Sequence, residues 1–564
     1  MIRTGADGRV TAWPFVTGRL RPRRRRVFAV PHGDVPAYTP AMASFNAPAP
    51  VLPLYTRAPD GPSRVRRALV VVAQVVAAAA YGFAAVILPP SLLPMLMAPV
   101  VLSLLLALWL MPDRGIFPFT AIERTYSVLL VLMVVWPVYI AVVLPGLPWL
   151  TPTRMALFVV TFFFLYSVST SRLLRLHLAA VARSSRPLWI AFLLWVASMF
   201  ISVPFSHHLS TTLTILLNNQ LRLVEIFFVG CLIFARRGAA TRTVATLIVL
   251  AMVSAVDGFI EMKLEYPPWA HHIPSFMRVD DATMATVLGS QARSADGLYR
   301  VRGPFPLSLV FAEYLAMCMP FIIHWLVTGR TLLMKAAMAV AWVMVMTAIV
   351  VTHSRLGLVG ALLAHMTYLP LWAFRRWRAD RTALLGPFVL FGAPVAALML
   401  LGVVLSSHTL RSHVLGGGAQ AASDLARAQQ RAMAVPRVAH NPIGYGLGQS
   451  GQTLGFTNQG GYTTVDNHII TSLLEIGVVG TLSFYGMFVI AATIGTRLYL
   501  TATERELELG GPLAIMFLVF FVIKTVLSQE NNHSLVLLLL GMMLALSARA
   551  KRLIDPDRLF PTMG

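Results

Sequence analysis

Apolar runs of roughly 17 to 25 residues recur along the chain, separated by short connections rich in arginine and proline. A helix of that length crosses about 30 Å of hydrocarbon, so the runs predict membrane-spanning helices and not the strands or amphipathic helices of a soluble core. The runs begin near residue 69 and end near 548, and predict an all-α, polytopic chain of about 12 to 14 spans. The first two spans are expected at about 69–88 and 92–111, the eleventh at about 384–405, and the long twelfth at about 469–496.

Composition agrees with this pattern. Hydrophobic residues make up 57% of the 564 positions and charged ones only 12%, with a mean hydropathy of +0.71. A soluble domain carries about 25% charged residues. The net charge of +23 raises the question of a nucleic-acid partner, but the arginines sit at the edges of apolar runs and in short connections, where they set orientation. No nucleic acid is therefore expected. Residues 1–67, with an arginine run at 21–26 and a Pro/Ala-rich stretch, read as a basic, disordered cytoplasmic tail; 68–548 as the membrane domain; and 549–564 as a second cytoplasmic tail. Both termini are thus expected inside. Cys231 and Cys318 fall within apolar runs and read as buried hydrophobes instead of a disulfide.

Two polar segments on the outer side are longer than connections need to be. One opens after the seventh span at about residue 260 and reaches Arg302, holding the acids Asp257, Glu261, Glu265, Asp280 and Asp281. The other is a large loop over 406–467. The same topology brings Arg302, Arg355 at the outer end of span nine, and His468 to one face. Arginines there run against the inside bias of positive charge. They can grip a diphosphate and neutralise a departing phosphate, and a histidine can take a proton from an attacking hydroxyl. Their alternative role is anchoring to lipid head groups. No Gly-rich nucleotide loop and no His-Glu-x-x-His occurs, and Asp280-Asp281 is the one adjacent acidic pair with any claim on a cation. No cofactor and no metal is expected.

Four short patterns resemble, in order, those of the bacterial O-antigen ligase and polysaccharide polymerase superfamily. They are Arg302-Gly303-Pro304-Phe305, Thr352-His353-Ser354-Arg355-Leu356-Gly357, the Gly-rich piece from His440 to Gly448, and Asp466-Asn467-His468-Ile469 followed by Glu475-Ile476-Gly477-Val478-Val479-Gly480. The resemblance covers about residues 240–500. It implies a helical fold like that of other membrane glycosyltransferases using lipid-linked sugars, without a metal. It also implies an active site on the periplasmic face of the inner membrane and an undecaprenyl-diphosphate-linked oligosaccharide as donor.

By pattern, the resemblance makes Arg302 and Arg355 the diphosphate-binding pair and His468 the group acting on the acceptor hydroxyl. Arg300 and Arg293 compete with Arg302 for its assignment. Glu475, two helical turns beyond His468, along with His440, Asn467 and Asp466, are supporting candidates. The acceptor is a second glycan in a polymerase or lipid A core in a ligase. The Asp-Asn-His form, the basic tail and the large loop lean towards an exopolysaccharide or O-antigen polymerase. Membrane lipids and polysaccharide export or chain-length-control proteins are the expected further partners. The competing classes are a secondary transporter, with Lys524 and internal prolines as its signals, and a non-enzymatic assembly protein.

Overall fold

The computed structural model describes residues 117–143, 150–279, 297–382, 384–406, 421–457 and 463–554, with a few isolated positions before 117. The basic tail of 1–67, nearly all of the first two expected spans, Arg293 and the Asp280-Asp281 pair lie outside the described residues. The chain divides into two units, Met1–Ala84 and Ala85–Gly564, and the second holds the helical bundle.

In chain order its helices are α1 (Phe119–Val135), α2 (Pro152–Thr170), α3 (Arg172–Arg183), α4 (Arg186–Ile201), α5 (Leu209–Asn219), α6 (Ile226–Ile233), α7 (Ala239–Leu264), α8 (Ser308–Thr328), α9 (Leu332–Val351), α10 (Arg355–Ala379), α11 (Leu385–Ser406), α12 (Ala421–His440), α13 (Ser450–Leu454), α14 (His468–Thr501), α15 (Gly510–Lys524) and α16 (His533–Ala550). Ten helical stretches among the described residues are long and apolar enough to cross a membrane, and α1 and α11 are further apolar helices beside them. The one ladder described pairs Ile140–Val142 with Met277–Val279, antiparallel, at the edge of the bundle.

Burial separates the inner helices from the lipid-facing ones. The spans of α16 and α8 are 94% and 83% buried, whereas that of α9 is 22% buried, and α9 and α11 turn Leu333, Val343 and Phe388 outward. Such faces need lipid, because water would leave large apolar side chains exposed. The α6–α16 contact is backbone to backbone. A Cβ on Gly541 would run into the Phe227 carbonyl and one on Gly230 into the Leu538 carbonyl, the close approach that small residues permit between membrane helices. Gly541→Val is therefore expected to separate α6 from α16 and lower the thermal unfolding midpoint sharply. An unchanged midpoint would mean that the helices do not meet there.

Ionic clamps gather at one end of the bundle. Arg549 bonds Glu504 at 3.1 Å and Glu506 at 2.7 Å, and Arg375 bonds Glu508 at 3.0 Å. Glu506 also accepts the N–H groups of Gly238 and Ala240 at the start of α7, where a carboxylate offsets the helix dipole. Arg549, read from sequence as part of a basic tail, is thus a structural clamp on the last turn of α16.

Three expectations are corrected. Asp257 and Glu261 do not belong to an outer segment, since α7 continues to Leu264 and encloses them. The 406–467 stretch is not simply a loop: from 421 onward it contains α12 and α13. The twelfth span is not one continuous helix either, because α14 breaks at Gly477 (φ 72°, ψ −174°). The chain from Pro442 to Gly446 occupies the gap and takes over the ladder: Tyr445 N–H bonds the Leu474 carbonyl at 2.7 Å, Gly446 N–H the Glu475 carbonyl at 3.1 Å, and Val478 N–H the Pro442 carbonyl at 2.8 Å. Only glycine fits at 477, since its φ is left-handed and a Cβ would strike Ile443. Irregular backbone at membrane depth is tolerated where protein satisfies it, as here.

Candidate active site

The groups read from sequence as functional lie at the bundle end away from the ionic clamps. Asn467 caps α14, its side-chain oxygen accepting Ile469 N–H at 2.8 Å, so His468 is the first residue of the helix and is turned inward, 4% exposed. Its Nδ1 lies 2.9 Å from the Tyr485 hydroxyl, which also reaches the Lys524 carbonyl at 3.4 Å. A hydroxyl has one proton, and donating it to the carbonyl leaves its oxygen to accept Nδ1–H. In that tautomer Nε2 carries the lone pair, and Nε2 is turned towards Glu530, whose carboxylate is 3.9 Å away. The His533 ring packs edge-on at 4.8 Å.

Glu530 is held on its other side by Arg222 at 3.0 Å. Arg222 sits in a π-helical turn, Gln220–Glu225, between α5 and α6. Such bulges re-aim side chains and recur at functional sites. The link carrying Glu530 is fixed from below. Lys524 pairs with Glu313 of α8 at 3.0 Å, both side chains wholly buried, and Asn532 donates to Glu313 at 2.8 Å and to the Val310 carbonyl at 3.0 Å. Neither Glu530, His533, Tyr485 nor Arg222 was singled out from sequence. A usable signal was present in the polar run Ser528-Gln529-Glu530-Asn531-Asn532-His533 between two apolar spans.

Arg302 is positioned by Glu261. One carboxylate oxygen of Glu261 accepts the backbone N–H of Arg302 at 3.0 Å and of Gly303 at 2.6 Å. The other accepts the Tyr299 hydroxyl at 2.7 Å and lies 3.6 Å from the Arg302 guanidinium. Burial, reinforced by Glu261, pushes the Tyr299 hydroxyl above its ordinary pKa and keeps it a proton donor. The same segment is stitched to the start of α10: Val301 N–H bonds the Val351 carbonyl at 3.4 Å and Arg300 Nε the Thr352 carbonyl at 3.3 Å. Ser354 caps α10 through Gly357 N–H at 3.3 Å, which makes Arg355 its first residue. The tertiary fold therefore joins the segments of Arg302 and Arg355 directly. Arg300, the competitor for the role of Arg302, commits its Nε to the backbone.

The supporting candidates separate. Glu475 lies just before the α14 break, buried, and accepts the Ser450 hydroxyl at 2.7 Å; it lines a cavity together with His468, Glu530 and His533. Asn467 uses its side chain as a helix cap. Asp466 is half-buried, with its backbone N–H on Gln430, and His440 is exposed at the end of α12. The cavity against His468 is about 30 Å³, comparable to one water's share of liquid volume. One of its walls is Leu447 of the Gly-rich piece.

His468, Glu530 and His533 each bring a ligand-type atom within 4.8 Å of the others. Such a donor set suits a cation. Two positive groups oppose one here: Arg222 is bonded to Glu530, and Lys524 acts electrostatically on both histidines. Cys231 and Cys318 are buried free thiols.

No curated protein matches the chain. Residues 322–485 match the family model described as O-Antigen ligase, a segment that includes Arg355, Glu475, His468 and Tyr485 and leaves out Arg302 and Glu530. Ten helices long and apolar enough to cross a membrane among the described residues, together with that match over residues 322–485, make this chain a polytopic membrane protein similar in that segment to the O-antigen ligase family.

Proposed function

We propose that the chain transfers a glycan from a polyprenyl-diphosphate carrier to a hydroxyl of an acceptor sugar at the periplasmic face, with lipid A core as the acceptor. The observation carrying this reading is a buried histidine whose Nδ1 meets the Tyr485 hydroxyl and whose Nε2 faces the Glu530 carboxylate, at the start of a broken helix and within a segment matched by an O-antigen ligase model. The description of that model favours the ligase over the polymerase expected from sequence.

In this reading the acceptor oxygen attacks the anomeric carbon and its proton passes to His468 Nε2. Glu530 stabilises the imidazolium so formed. The bond from the anomeric carbon to the diphosphate oxygen breaks, its electron pair leaves with the diphosphate, and Arg302 and Arg355 neutralise that charge. Glu261 acts on Arg302 only, by fixing its backbone and guanidinium. Arg222 and Lys524 disfavour a cation at the histidine, so the reaction is proposed to need no metal.

The test is product analysis in vesicles supplied with undecaprenyl-diphosphate-linked oligosaccharide, with and without lipid A core, and with and without a chelator. Transfer that requires lipid A core and is insensitive to chelator is expected. Chain lengthening without lipid A core would replace the ligase by the polymerase, and activity lost to chelator and restored by a divalent cation would overturn the metal-free step. Folded, donor-binding protein that forms neither product would sink glycan transfer altogether.

A further inference from the structure

A second cavity, of about 240 Å³, lies on the other side of Arg222 from the His468 cavity and shares no lining residue with it. It opens between α1, the start of α2, the α5 end with its π turn, and the start of α16. Its polar lining includes Arg154, Arg222, Asn218, Asn531 and Asn532, and α1 contributes Leu129, Met133 and Val134. The cavity is thus cationic and amide-rich in one part and apolar in another.

The two arginines are close enough to act on one another electrostatically, which concentrates positive charge at this cavity. Arg154 is in the first turn of α2, whose cap Thr151 accepts Arg154 N–H at 3.1 Å, and Asn532 is the residue before α16. Both helices present N-terminal, positive ends to the cavity. Glu530 occupies one Nη of Arg222, while the Arg222 Nε is buried with no hydrogen-bond partner. Neither Arg302 nor Arg355 lines this cavity.

We propose that the Arg154–Arg222 cavity is a second phosphate site, which holds the phosphate or diphosphate of a lipid while α1 receives the beginning of its apolar chain. Resting on the glycan-transfer reading, the site would seat the second lipid-borne substrate, the one that offers its hydroxyl to His468. Arg222 joins the two places, because it touches the cavity and also holds the carboxylate that faces the histidine. An anion that draws Arg222 away loosens the Arg222–Glu530 pair and gives Glu530 to the imidazolium, so occupancy of the second site favours proton transfer.

The experiment uses the full chain in nanodiscs of phosphatidylcholine, titrated with undecaprenyl diphosphate, with lipid occupancy read by native mass spectrometry. The unaltered chain is expected to bind two equivalents. Arg154→Gln and Arg222→Gln each weaken one of them by about tenfold or more, and Arg355→Gln weakens the other. Competition by lipid A but not by phosphatidylglycerol would assign the site to the acceptor of the proposed ligase; competition by carrier diphosphates alone would assign it to a carrier-borne acceptor and replace the ligase by the polymerase; equal competition by phosphatidylglycerol would make it a general lipid-phosphate site and overturn its substrate role. Retention of both equivalents by folded Arg154→Gln and Arg222→Gln overturns the proposal. A photo-crosslinking carrier analogue supplies a check independent of folding variants: adducts on the α1 peptide containing Leu129 and Met133 are expected, and adducts confined to other peptides also overturn it. Because binding is read without turnover, failure of glycan transfer with the second equivalent intact would reject the enzymatic reading and leave the site standing.

Discussion

His468→Gln lowers glycan transfer by about 10²–10⁴-fold, the range lost with a general base, and leaves the fold intact. The helix start is secured by Asn467 and not by His468, and glutamine keeps a polar group near Tyr485. The amide cannot accept a proton at neutral pH, so the acceptor hydroxyl attacks undeprotonated. The check is the initial rate in vesicles, alongside the thermal midpoint of the same preparation. Wild-type turnover by a folded His468→Gln chain would remove the histidine from the mechanism. Tyr485→Phe provides a graded companion: it loses the acceptor for Nδ1–H and frees the ring to take either tautomer, so its rate falls by less than that of His468→Gln.

Lys524→Met is expected to destabilise the protein by about 3–5 kcal/mol, the cost of leaving a buried partner charge unpaired. Glu313 and Lys524 are both fully enclosed, 3.0 Å apart, and Glu313 also receives Asn532. The loss therefore spreads to the link that carries Glu530 and His533. The double variant Lys524→Met/Glu313→Gln removes both charges and should be more stable than Lys524→Met alone, since replacing a whole buried pair by neutral groups is commonly near neutral. Thermal unfolding in one detergent decides it. Additive losses in the double variant would mean the two side chains do not depend on each other.

Lys524 was also the residue that kept a transporter reading open at the sequence level. In the fold it spans from α15 to α8 and bonds the Gln529 carbonyl as well as Glu313. It holds the link above it, which is a structural role at the base of the candidate site and gives no support to an ion path.

Much of the architecture was legible in the chain because span length and charge placement are local properties. Apolar runs long enough to cross the bilayer fold as helices wherever they occur, since the backbone in lipid has no other way to satisfy its hydrogen bonds. Arg355 and His468 stood out as candidates too, as polar residues flanked by short recognisable patterns at span edges, and the fold makes each the first residue of a capped helix. The break in α14 was not, because Gly477 alone does not interrupt a helix. The interruption needs the Pro442–Gly446 chain, some 30 residues earlier in sequence, to supply replacement hydrogen bonds.

The sequence by itself determined a helical membrane bundle, the inward burial of its two cysteines, and the residues whose chemistry suits diphosphate and hydroxyl groups. Only the tertiary structure decided what each charge does. Glu261, counted among the acids of an outer segment, lies in α7 and grips Arg302; Glu506 caps α7 from a connection far along the chain; and Glu530 stands between His468 and Arg222. The physical reason is that a buried charge must find an opposite charge or hydrogen-bond donors, and those partners come from helices distant in sequence, at separations on which periodicity and local pattern carry no information.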